Sequence, residues 1–277
     1  MQIELILGSK SRPLLSAMAA FVFGMAASAK AEVISVADIV QATGNGVEQS
    51  TIIVERQSDK QVWISNPRRA EDRFSPASTA KIPHTLIALE NGLATVETVF
   101  TWDGVLRSAR VWNRDQTLAS AFQNSTVWVY QDIARAAGPE AMAKGLRRFA
   151  YGNTDVGSAE HLTTYWLDDT LKISAVEQIG FLGRLASKTL PLKGSTYDAS
   201  RNIMVSDQGG GWVMRSKTGW RHSDNSMDIG WFVGWLECPK DVYVFAMNID
   251  MPDTRYLSRR KSITYAVLQN IGAFDCR

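Results

Sequence analysis

Two short runs in this chain combine residue types that can attack a carbonyl. Ser78-Thr79-Ala80-Lys81 follows Phe74-Ser75-Pro76 and opens a predicted helix. Positions i and i+3 share a helix face, so the Ser78 hydroxyl and the Lys81 amine can meet at the helix start. Exposed N–H groups there favour developing negative charge. A serine needs an adjacent base, and a desolvated lysine supplies one because burial lowers its pKa. Taken alone, the same spacing describes a helix cap beside a solvated lysine. The second run, Lys217-Thr218-Gly219-Trp220, ends a predicted strand. Such a strand can lie beside a substrate while Lys217 and Thr218 engage a carboxylate. The backbone N–H groups of Ser78 and Trp220 are candidates for an oxyanion hole, in which one donor is worth about a hundred- to thousandfold in rate.

These runs do not stand alone. Ser78-Thr79-Ala80-Lys81, Ser125-Thr126-Val127, Tyr151-Gly152-Asn153 and Lys217-Thr218-Gly219 occur in that order over about 140 residues. In them the chain resembles the class D (oxacillin-hydrolysing, OXA-type) serine β-lactamases. The resemblance extends to Trp112-Asn113-Arg114-Asp115, Tyr165-Trp166-Leu167 and Gly230-Trp231-Phe232-Val233-Gly234-Trp235, and so spans the mature chain. It implies a transpeptidase-like fold and hydrolysis of β-lactams through an acyl-enzyme on Ser78. It also implies that Lys81 is carboxylated by carbon dioxide to N6-carboxylysine and serves as general base, with Ser125 relaying a proton. On the same ground Trp166 donates an indole hydrogen bond to the carbamate, and Val127 keeps the pocket apolar. The resemblance further implies that Lys217, Thr218, Gly219, Trp220 and Arg260 contact the substrate, Arg260 binding the substrate's carboxylate, and that Trp112 walls the cleft. An ordinary basic surface competes for Arg260, which Arg259 and Lys261 flank, and a plain core role competes for Trp112. Ala80 departs from the aromatic residue usual there, which leaves space beside the lysine unless a neighbour fills it. A penicillin-binding peptidase or a β-lactam sensor is the alternative reading. The former carries S-x-N as second motif, where this chain has Ser125-Thr126-Val127.

The elements that must position these residues follow from the patterning. Ser50–Glu55 and Gln61–Ser65 read as a hairpin around the polar turn 56–60. Between Ser78 and Leu192 the best-patterned segments are helical. Ala80–Asn91 stops at Gly92, Gly138-Pro139-Glu140 opens a helix, and Ser174-Ala175-Val176-Glu177 is a capping box. Trp212–Lys217, Asp228–Glu237 and Val242–Ile249 read as strands, and Leu257–Ile271 as an amphipathic helix. Strands first, helices next and strands last predict an α/β protein of the α+β kind: an antiparallel sheet flanked by helices, with an inserted all-helical lobe. The expected sheet lobe covers about 32–66 and 195–277 and the helical lobe about 67–194. The active site is expected between them.

The N-terminus reads differently. Lys10 and Arg12 precede the apolar, small-residue run Pro13–Ala29, and Ala29-Lys30-Ala31 fits a signal-peptidase site. A cleavable signal peptide at 1–31, a periplasmic domain at 32–277 and no stable membrane association are expected. A net charge of +2 gives no electrostatic case for nucleic acid. His84, His161 and His222 lack ligand spacing, so no metal is expected, and no cofactor beyond carbon dioxide or bicarbonate. The sequence leaves the oligomeric state open between monomer and homodimer. It also leaves open whether Cys238 and Cys276 pair.

Overall fold

A computed structural model describes residues 32–276; the expected signal peptide lies outside them. In chain order the elements are β1 (Val33–Ser35), α1 (Ala37–Ala42), β2 (Ser50–Arg56), β3 (Val62–Ile64) and α2 (Pro67–Glu71). A tight helical turn, Ala77–Ala80, then leads into α3 (Lys81–Glu90). There follow β4 (Val99–Phe100), β5 (Gln116–Thr117), α4 (Leu118–Gln123), α5 (Val127–Arg148), α6 (Ala175–Ala186) and α7 (Gly194–Ile203). The chain closes with β6 (Val205–Gly209), β7 (Trp212–Arg221), β8 (Asp228–Glu237), β9 (Val242–Met251) and α8 (Tyr256–Asn270).

Seven strands form one sheet in the order β1-β3-β2-β9-β8-β7-β6. The expected antiparallel sheet is in fact mixed, because β1 runs parallel to β3, pairing Val33 with Val62. A three-residue strand has too short a pattern to be read from sequence. The helix α7 runs past the expected boundary at 194, so that residues 195–203, expected in the sheet lobe, are helical.

Side chains alternate across a strand, and the central strands bury both faces, which is why their sequences run nearly unbroken in apolar residues. On β8, Trp231, Val233 and Trp235 join the core shared with α3, α5 and α6. Phe232 and Leu236 point the other way, toward Ile263, Val267 and Leu268 of α8.

The helix ends follow local chemistry. At the end of α3 Gly92 takes φ 67°, and Leu93 N donates to Ala88 O at 2.9 Å, closing the last turn. The capping box at Ser174 and Glu177 forms in full. Within α5 the helical path breaks at Gly138, φ 77°, and restarts at Pro139. Cys238 and Cys276 form a disulfide, with Cα atoms 5.1 Å apart.

Candidate active site

Ser78 sits in the tight turn that feeds α3, one residue after Ala77, whose φ of 46° is unusual for a residue with a Cβ. The Thr79 hydroxyl fixes this turn by donating to Pro76 O at 2.7 Å. Lys81 Nζ lies 3.0 Å from Ser78 Oγ, and the lysine is completely buried. Burial, then the nearby Lys217 charge, holds the Lys81 amine well below the usual lysine range. An uncharged amine at this distance can accept the serine proton as well as donate to its oxygen.

An aromatic ring faces the amine. Nζ lies 5.1 Å from the centre of the Tyr130 ring, and Tyr130 is itself buried. Trp166 is wholly buried; its backbone carbonyl accepts from the Ser75 hydroxyl at 2.8 Å. The Trp166 indole N–H has no partner among the described residues. Ala80, the departure from the usual aromatic, is fully buried within the main core.

Across from Ser78, Ser125 stands in the turn between α4 and α5 at φ 55°, and Lys217 Nζ donates to its Oγ. Lys217 is buried and pushed down to about 7, chiefly by desolvation and then by the charges of Arg260 and Lys261. Its amine also donates to Thr218 O at 3.2 Å. Arg260 reaches in from α8, buried, and donates through Nη1 to Gly219 O at 2.5 Å and through Nε to Leu257 O at 2.9 Å. With Nε and one Nη1 hydrogen engaged by carbonyls, the Nη2 group and the second Nη1 hydrogen remain to meet a carboxylate. Burial lowers Arg260 to about 10.

These groups converge on a cleft of about 240 Å³. Ser78 and Ser125 border it together with Trp112, Val127 and Leu167 from the helical part of the chain. The sheet side contributes Thr218, Gly219, Trp220, Leu257 and Arg260. Trp112 is pinned by its indole N–H to Asn124 O at 2.9 Å. Lys81 and Trp166 are buried, and Lys217 enters through its bond to Ser125.

The strand beside Ser78 has an open edge, since β6 pairs with β7 only as far as Arg215. Ser216 N–H points away from β8, donating to Met204 O at 2.9 Å. A two-residue period therefore turns the Thr218 and Trp220 N–H groups to that same side. Gly219 allows the approach: a Cβ there would come within 2.9 Å of Pro76 O and 3.1 Å of Thr79 Cγ2.

Sequence reasoning missed Leu167 and Leu257 as cleft residues and Tyr130 and His84 as neighbours of Lys81. Leu257 sits one turn before Arg260, and His84 one turn after Lys81, so the i, i+3 spacing carried a signal for both. Among the described residues no cluster of His, Cys, Asp or Glu is arranged to hold a metal ion.

Comparison with known proteins agrees with this arrangement. Residues 45–269 match the family model for the penicillin-binding protein transpeptidase domain. The chain is 40% identical over 257 residues to β-lactamase OXA-3 of Pseudomonas aeruginosa, covering 91% of each. It is 39% identical over 222 residues to β-lactamase OXA-48 of Klebsiella pneumoniae, covering 80% of this chain and 83% of that protein. Among solved structures, the class D β-lactamase YbXI from Nostoc superposes with a TM-score of 0.81 at 37% identity, covering 84% of this chain and 98% of the other. The chain belongs to the class D β-lactamases, a branch of the transpeptidase-domain family.

Proposed function

We propose that this protein hydrolyses the β-lactam amide of penicillins and related antibiotics, and so confers resistance, with Ser78 as nucleophile and Lys81 as its base. The observation that carries this reading is the fully buried Lys81 amine 3.0 Å from Ser78 Oγ.

The substrate carboxylate is received by Arg260, Thr218 and Lys217, which sets the lactam carbonyl against Ser78. As Ser78 Oγ attacks, its proton passes to the base that Lys81 carries. The oxygen of the tetrahedral intermediate is met by the N–H groups of Ser78 and Trp220. Ser125, bonded to Lys217, stands where it can deliver a proton to the departing ring nitrogen. Trp112 and Trp220 flank the substrate, and Val127 keeps the pocket apolar.

The carbamate expected on Lys81 fits the residues present. Carbon dioxide adds only to a neutral amine, which burial provides, and the orphan Trp166 N–H is a buried donor in want of an acceptor. The carbamate supplies a general base strong enough to activate the water that cleaves the acyl-enzyme. Trp166 would hold it, and Val127 with Leu167 would limit water beside it. No cofactor other than carbon dioxide or bicarbonate is required.

Export to the periplasm, with removal of residues 1–31, is part of the proposal. It is supported by the basic, apolar and small-residue pattern of that segment and by the disulfide. N-terminal sequencing of protein from a periplasmic extract tests it, since an intact Met1 overturns it.

Purified protein is expected to turn over a chromogenic cephalosporin many times, Ser78→Ala to abolish this, and added bicarbonate to raise the rate. A single burst followed by a stable acyl-enzyme would identify a sensor or penicillin-binding protein instead.

A further inference from the structure

The mechanism above leaves the buried imidazole of His84 without a task. His84 follows Lys81 by one turn of α3, on the same face, and is completely buried. Its ring packs edge-on against the Trp166 indole, with centroids 4.8 Å apart at 88°. Tyr165, also fully buried, places its hydroxyl 2.6 Å from His84 Nε2. His84 Nδ1 has no partner among the described residues.

Counting protons selects the tautomer. If Nε2 carried the proton and donated to Tyr165, the phenol proton and the Nδ1 lone pair would both be stranded in the core. If Tyr165 donates to Nε2, the proton sits on Nδ1 and one group is left over, a single N–H. A buried donor without an acceptor is costly and calls for an explanation. His84 and the Lys81 amine both face the Tyr130 ring, at 6.3 Å between centroids and 5.1 Å to Nζ respectively, which places His84 in the same pocket. Two orphan donors, His84 Nδ1 and Trp166 Nε1, therefore stand on touching rings beside an uncharged amine.

We propose that His84, fixed as its Nδ1–H tautomer by the Tyr165 hydroxyl, is a second donor to the carboxylate carried by Lys81. This rests on the carbamate reading above and adds to it a partner for Trp166. Both rings then have an acceptor only when the lysine is carboxylated, so the pocket is most stable in its modified form. Tyr165 acts through His84 as a positioning residue.

The experiment uses the purified protein in 13C-bicarbonate, following the carbamate resonance by NMR, with 15N-labelled histidine in a parallel sample. The wild-type imidazole of His84 should report a protonated Nδ1; a protonated Nε2 would overturn the proposal directly. His84→Leu should need about tenfold more bicarbonate to half-fill the carbamate, the order expected for one lost hydrogen bond to a charged group. His84→Asn, whose amide nitrogen can stand where Nδ1 stood, should stay within about threefold of wild type. Tyr165→Phe, which removes one oxygen and frees the tautomer, should weaken the resonance without abolishing it. Equal half-filling in wild type and His84→Leu would overturn the role of His84 while leaving the carbamate intact. Absence of the resonance in the wild type would instead remove the carbamate reading, and this inference with it.

Discussion

Lys81 and Lys217 are amines that folding removes from water with no carboxylate among the described residues paired to them to offset the loss. Lys217 has the ordinary lysine pKa of 10.5 when unfolded and is pushed down to about 7 when folded. Between those values the unfolded chain binds more protons, so stability rises with pH across that window. The destabilisation is fully present below about pH 7 and gone above about 10.5. Lys217→Met should therefore lose activity yet gain about 1–2 kcal/mol of stability near pH 6.5, the increment usual when a functional site is relaxed. Thermal melts from about pH 6 to 10 check this. A gain that did not shrink as pH rises, or no gain at all, would show that burial of this amine is not destabilising. The residue types of the site were legible from short-range spacing: Ser78 and Lys81 meet as the i, i+3 argument requires. What the spacing could not show is the dry setting, because Tyr130 and Trp166 arrive from distant parts of the chain. His84 illustrates the same limit. Tested against metal-ligand spacing it had no role, and only the packing of Trp166 and Tyr165 around it reveals its orphan nitrogen.

At the scale of elements, the site is the meeting of one turn with one strand. β7 passes so close to the Ser78 turn that residue 219 has no room for a side chain. Gly219→Ala should force the two apart by a few tenths of an ångström or more, because the nearest atom is a backbone oxygen, Pro76 O at 2.9 Å. Overpacking of this kind costs about 1–3 kcal/mol, while a misplacement of about 1 Å at a reacting centre can cost roughly a hundredfold in rate. The variant should therefore fold, melt a few degrees lower, and lose activity far out of proportion. Activity within about threefold of wild type would mean that the approach is not what positions Trp220 N–H against Ser78. The strand itself was legible because β7, β8 and β9 carry branched and aromatic residues on both faces. Helix ends were legible where a cap or a glycine marks them, as at Ser174 and Gly92. β1 and α1 escaped notice, since each is short and takes its order from the sheet edge and from α8 instead of from a repeating pattern.

On the scale of the whole molecule, the sheet draws on both chain ends, and a covalent link ties one of them down. Cys238 follows the last residue of β8, and Cys276 lies beyond α8, separated by 38 residues. Spacing left this pair undecided, because disulfide formation depends on where α8 returns against the sheet, a long-range property. Closing a loop of that length removes unfolded-state entropy worth about 4 kcal/mol in the chain-entropy model. The bond is remote from the chemistry: Gly219 pairs with Trp231, whereas Cys238 lies seven residues further along that direction. At about 3.3 Å per residue the separation along the strand is roughly 23 Å. Cys238→Ser with Cys276→Ser should thus lower unfolding stability by about 2–4 kcal/mol while leaving kcat and KM at room temperature close to wild type. Denaturant unfolding measures the first quantity and steady-state hydrolysis the second. A loss of turnover in protein that is still folded would mean that the far end of β8 controls the geometry at Gly219. The 38-residue loop also contains α8 and therefore Arg260, so substrate affinity is the parameter to watch. If the packing of Ile263, Val267 and Leu268 holds α8 in place without the bond, KM will not move.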